Sequence, residues 1–139
     1  MSAKTIIYLL VFAVSPPAFG QTESEDFQSF CFHFFTDSAF QSSRISFPLK
    51  TIRYSEGFEK VDSLFTSEKH WQFSDFGYLG RESPDNYHVQ IYDNFSQVLR
   101  NTGERVVAFE GLENGIHLSL FFRLQSSKWI LVKIEDFST

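Results

Sequence analysis

The sequence predicts an α+β domain in which N-terminal helices pack on an antiparallel β-sheet, and three observations carry that prediction. Phe27, Phe30, Cys31 and Phe34 recur at the spacing of one helix face. From Tyr87 onward apolar and polar residues alternate with period two, and Asn114-Gly115 is the strongest two-residue hairpin signal. The chain has 139 residues, 18 of them Phe, with a single Cys. An aromatic core, not disulfide bonds, must therefore hold it.

Taken in order, the first element is an address rather than structure. Lys4 precedes an unbroken apolar run from Ile6 to Val14, then Pro16-Pro17 and the small residues Ala18 and Gly20. This is the pattern of a secretory signal peptide over residues 1–20, with cleavage expected before Gln21. The run is too short to span a bilayer permanently, which takes roughly 20 apolar residues, so no membrane span is expected after cleavage. The remainder, residues 21–139, is one domain's worth of chain and has no Gly/Ser- or Pro-rich linker.

The first helix starts at Ser24, Glu25 and Asp26, which supply a cap and negative charge at the positive end of its dipole. Cys31 falls on its apolar face, where a buried, inert thiol is expected. In "RISFPLKTIRY", Ile45, Phe47 and Leu49 alternate as in a strand, and Pro48 marks an edge or a bulge. "FEKVDSLF" has helical spacing at Phe58, Val61, Leu64 and Phe65, which predicts a short second helix within residues 56–83. "YHVQIYD" reads as a strand, and residues 105–112, 116–125 and 128–137 follow as an antiparallel meander after the turn "NTGE".

If two-residue loops at Asn114-Gly115 and Ser126-Ser127 close the meander, Val107, Phe122 and Leu131 stand side by side, as do Phe109, Leu120 and Lys133. One face is then almost wholly apolar, formed by Val107, Phe109, Leu118, Leu120, Phe122, Leu124, Trp129 and Leu131. Lys133 and Glu135 share that face at one end, where charge is costly unless paired or facing water. On the other face the same register sets His117 opposite Asp136, near Phe121, Ile130, Val132 and Ile134.

Beyond residue 20 the chain carries 11 basic against 17 acidic residues, a net charge of −6. Nucleic-acid binding, which rests on clustered Lys and Arg, is therefore not expected. His33, His70, His88 and His117 are scattered, with no pair at ligand spacing and no acidic calcium-type loop, so neither metal nor cofactor is expected. There is no Gly-x-Ser-x-Gly element for acyl transfer.

"TDSAFQSSRISFPLK" and "GLENGIHLSLFFRLQSSKWILVKIEDFST" together resemble the exported family of Bacteroidetes-type bacteria called domain of unknown function 4348. The specific parts are Phe40-Gln41, Arg44-Ile45, Phe47-Pro48-Leu49, Lys128-Trp129, Leu131-Val132-Lys133 and Glu135-Asp136. The resemblance implies a nuclear transport factor 2-like, cystatin-like fold, with helices against a strongly curved antiparallel sheet wrapped into a cone. It implies no activity. Members often carry two such units in tandem and a lipoprotein Cys, whereas this chain has one unit and only Cys31, which raises the question of self-association.

Cone folds host isomerases, hydrolases and plain binders alike, so function must be argued from residues. The leading expectation is an exported binding or interaction module with an apolar, aromatic-lined cavity, whose partner is a small apolar ligand or a protein. A homodimer through the second sheet face, around Phe121, Ile130, Val132 and Ile134, is a further expectation. Candidate ligand contacts are Lys133, Glu135, Arg44, Trp71, Tyr78 and Tyr92. The alternatives are an ion pair of Lys133 and Glu135, with Arg44, closing the end of the cone, and wall packing for the three aromatics. The competing function is a small cavity enzyme using Glu135 or Asp136 as general acid/base, or His117 oriented by Asp136, where the plain alternative is an exposed cross-strand pair.

Overall fold

The computed structural model describes residues 23–78, 86–97 and 102–139. The expected signal peptide and its cleavage site lie outside the described residues, as does Asn101 in the expected turn. Two helices come first, α1 (Phe27–Thr36) and α2 (Ser38–Ser43). Six strands follow: β1 (Ile45–Tyr54), β2 (Val61–Thr66), β3 (Tyr87–Tyr92), β4 (Glu104–Gly111), β5 (His117–Gln125) and β6 (Lys128–Asp136). They form one sheet in the order β2-β1-β6-β5-β4-β3. Neighbours run antiparallel except β1 and β6, which are parallel, so the sheet is mixed where a purely antiparallel one was expected.

α1 forms where its spacing predicts, with Phe27, Phe30, Cys31 and Phe34 buried and Phe35 beside them. Its cap is Asp26, whose carboxylate accepts the Ser29 amide at 2.9 Å; Ser24 lies outside the helix. Asp37 caps α2 in the same way, through the Phe40 amide at 2.9 Å. The α1 rings pack on the sheet around Phe122, with Phe27, Phe30 and Phe34 each edge-on to it at 5.3–5.5 Å between centroids. The predicted inner face is the core face: Val107, Phe109, Leu120, Phe122, Trp129 and Leu131 are buried there, with Leu118 and Leu124 packed against them.

Three local expectations are corrected. The second helix is a strand: Val61 to Thr66 pair with Tyr54 to Leu49, after a turn in which Gly57 and Phe58 take φ of 85° and 59°. Apolar residues at steps of three and one fit either period, and β-branched and aromatic side chains beside an available strand favour the sheet. The β4–β5 connection is wider than Asn114-Gly115 alone, so Val107 faces Leu120 and Phe109 faces Leu118. Asn114 instead donates its side-chain amide to the Asn86 carbonyl at 2.6 Å, and the Thr139 amide bonds the Gly115 carbonyl at 2.8 Å. A Cβ on Gly115 would lie 2.6 Å from the Thr139 carbonyl oxygen, so that close approach requires glycine.

The third correction has the largest consequence. Ser126-Ser127 do close a two-residue hairpin, with φ of 49° and 64°, and Phe122 faces Leu131 as expected. Beyond that pair the register shifts: Val132 is an extra residue, so Phe121 faces Lys133 and Leu120 faces Ile134. On the other side of β6, β1 also shifts register between Ile45 and Lys50, a stretch that contains the cis Phe47-Pro48 bond. Two bulges meeting at one point bend the sheet sharply. The slip moves Ile134 into the core and turns Lys133 and Glu135 to the outer face.

The segment before α1 is stapled to the β5–β6 hairpin. Arg44 donates to both Glu25 carboxylate oxygens, at 2.6 and 3.1 Å, and the Trp129 backbone amide and indole donate to the Glu25 carboxylate and carbonyl. Burial pushes the Glu25 carboxyl up, but the Arg44 and Trp129 hydrogen bonds and the charges of Arg44 and Lys128 outweigh it, leaving it below its usual 4.5. A carboxyl lowered by folding contributes stability that is full above its unfolded value and is lost as pH falls through the folded one. Asp26 acts in the same direction, held below its usual 3.8 by hydrogen bonds from the Ser29 amide and hydroxyl. Glu25→Gln should therefore be less stable than the natural protein at neutral pH, with the gap closing on acidification below the usual carboxylate range. A gap in melting temperature that persists undiminished well below that range would contradict the assignment.

Candidate functional site

A cavity of about 110 Å³ opens at the end of the sheet where β3 and β5 begin and β4 ends, lined by Phe76, Tyr87, Phe109, Ile116 and Leu118. Phe109 is buried and forms the floor; the other four are half-buried and form the mouth. The period-two pattern of β4 and β5 aims Phe109 and Leu118 inward as a facing pair. Ile116 comes from the loop anchored by Asn114, and Tyr87 from the first residue of β3, where its hydroxyl donates to the Gly77 carbonyl.

Phe76 is positioned by a residue that sequence reasoning missed. Gln41 is fully buried, and its side chain donates to the Phe34 and Ser74 carbonyls at 3.0 and 2.7 Å. It accepts from the Trp71 indole and the Ser74 amide, both at 3.2 Å. This clamp holds residues 71–78 against α2. Tyr78 then stacks on Phe35 with centroids 4.2 Å apart, and the Trp71 ring lies against Phe47 and Phe76. Burial raises the Tyr78 phenol and, against a hydrogen bond from Tyr78, pushes the Cys31 thiol up to about 12. Both are neutral at physiological pH.

The expected site residues do not converge on one place. Trp71 and Tyr78 belong to the segment that carries the cavity wall. Lys133 and Glu135 pair with each other at 2.8 Å on the outer face, with the Lys133 ammonium 4.0 Å from the centre of the Phe121 ring. Arg44 joins Glu25 rather than that pair, with its guanidinium over Phe40. Tyr92 stands opposite Val106 on β3, away from the cavity lining. His117 is not opposite Asp136 but bonds Glu110 at 2.7 Å, because the wider β4–β5 loop brings those two into register. Asp136 faces Leu118 and accepts the Ser138 amide at 3.1 Å.

Chemically, the cavity offers ring and aliphatic surface, with the Tyr87 phenol as the one polar side chain among the described residues that line it. Among the described residues no group of three His, Cys, Asp or Glu could hold a metal ion, and no helix is long and apolar enough to cross a membrane.

Helices against the inner face of a bent six-stranded sheet, with an apolar cavity at one end, define a small cone-type α+β domain of the nuclear transport factor 2-like, cystatin-like class. The chain is similar to a nuclear transport factor 2-like protein from Bacteroides fragilis (26% identity, TM-score 0.59), the match covering 86% of this chain and 50% of that one. It thus spans about half the length of that protein. It is also similar to a cystatin-like protein from Bacteroides caccae (23% identity, TM-score 0.57, covering 82% of this chain and 77% of that one). A protein from Bacteroides uniformis matches likewise (20% identity, TM-score 0.57, covering 82% and 78%). No curated protein matches. The family model for domain of unknown function 4348 matches residues 8–136, and the chain belongs to that family.

Proposed function

We propose that the protein is an exported binding module whose cavity takes the apolar end of a small ligand or of a partner's side chain. The observation that carries this is the cavity itself, about 110 Å³ lined among the described residues by five apolar or aromatic side chains whose one ionisable group is a phenol. That is close to the ~150 Å³ engineered cavity that stays dry and binds benzene, and smaller than the ~300–1,000 Å³ of sites that enclose a whole drug-sized ligand. It fits one ring or a short alkyl end. The leader pattern of residues 1–20 supports export.

Titration with benzene should shift the methyl NMR signals of Ile116 and Leu118 saturably while leaving Val61 and Leu64 unmoved. Leu118→Trp, which fills the space, should abolish the effect without unfolding the protein. Unmoved Ile116 and Leu118 signals at benzene saturation would end this reading. The catalytic alternative would rest on Asp136, which of the three residues weighed for proton transfer shares the Leu118 side of the sheet.

A further inference from the structure

β2 is an edge strand of the sheet, and among the described residues no strand pairs with its outer edge. One side pairs with β1 over all six residues without a register shift; the other presents alternate backbone amides and carbonyls. The strand is apolar on both faces, with Val61 57%, Leu64 40% and Phe65 65% exposed. Soluble proteins usually blunt such an edge with Lys, Pro, an inward charge or a bulge. β2 has no Lys, no Pro and no bulge, and Asp62 is its single charge. The opposite edge, β3, differs: it exposes one large apolar side chain, Ile91, between polar neighbours. The outer face also differs from expectation, since Ile134 turns into the core and Phe121 is buried with Phe95 and Lys133 against it.

We propose that β2 pairs edge to edge, antiparallel and about a twofold axis, with β2 of a second copy of this chain. The backbone groups of an open strand edge are satisfied most completely by another strand, and the sequence around β2 is complementary to itself. In "EKVDSLFTSEK", residues 59–69, antiparallel pairing centred on Leu64 sets Leu64 beside its counterpart and Ser63 beside Phe65. It also brings Glu59-Lys60 of one copy, just before β2, to the end where Glu68-Lys69 of the other lies in the short 3-10 turn Glu68–His70 after it, so both signs of charge are available at each end. One twofold contact satisfies both β2 edges and closes that contact, and the edges of the joined sheet are then the two β3 strands. The proposal is independent of the cavity, which lies among β3, β4 and β5 at the far side of the sheet.

Sedimentation equilibrium across a wide concentration range should give a dimer for the natural protein and half that mass for Phe65→Lys, with Phe65→Leu still dimeric. Leu64→Lys, on the other face of the strand, serves the same purpose should Phe65→Lys alter the circular dichroism spectrum. Hydrogen exchange should show the outward amides of Val61–Thr66 slowing by about tenfold or more as the dimer forms. A natural protein that is monomeric throughout overturns the proposal. So does a dimer that both Lys variants leave intact, or one whose formation leaves β2 exchange unchanged while Ile130→Lys dissolves it, which would put the contact on the outer face.

Discussion

Phe122→Ala should destabilise the protein by about 3–5 kcal/mol, the range for emptying a large aromatic from a packed core. Phe122 is fully buried at the centre of the sheet, and three α1 rings, Phe27, Phe30 and Phe34, meet it edge-on. Those rings are held by a short helix of ten residues, which has little stability of its own and depends on this packing. With a single Cys there is no internal cross-link to limit the loss. Domains of this kind have about 5–15 kcal/mol in total, so the variant should denature at markedly lower urea concentration. Phe122→Leu, which keeps most of the volume, should lose much less. Equal losses for Ala and Leu would mean that ring contacts, not filled volume, dominate at this position.

Gln41→Leu should cost a comparable amount, about 3–5 kcal/mol, although it conserves volume and adds apolar surface. The reason is what remains behind: the Ser74 amide and carbonyl and the Trp71 indole all lose their partner in a place where water has poor access. Each orphaned polar group costs about 1–3 kcal/mol. The variant should also release residues 71–78, so the Phe76 and Tyr78 ring signals should lose their dispersion and benzene should no longer shift Ile116 and Leu118. Phe122→Ala, by contrast, should leave the Gln41 hydrogen bonds in place in whatever fraction stays folded. Urea denaturation with NMR on both variants separates the two; a Gln41→Leu protein as stable as the natural one would remove the clamp from the account.

Much of the fold is legible because its signals are local. The α1 face, the three meander strands, the Ser126-Ser127 turn and the apolar inner face all follow from spacing over a few residues. Phe109 and Leu118, which line the cavity, are among those inner-face residues. Gln41 carried no such signal: one polar residue in "AFQSS" looks like any surface glutamine until residues 71–78 fold over it. Likewise, nothing within "FEKVDSLF" distinguishes a strand from a helix, and the choice is made by the free side of β1. Lys133 and Glu135 show the sharpest limit. Period-two counting puts them on the apolar face, and a single extra residue at Val132 puts them on the other.

By itself, then, the sequence determined the class of fold, the family to which the chain belongs, and which side chains form the aromatic core, because burial preference and short-range periodicity are written residue by residue. The tertiary structure alone decided the faces beyond the bulge, the parallel contact of β1 with β6, the place of the cavity and the open edge of β2. Those depend on pairing between segments far apart in the chain. There, a one-residue slip is tolerated when it buries Ile134, and gives Lys133 both Glu135 and the Phe121 ring as partners.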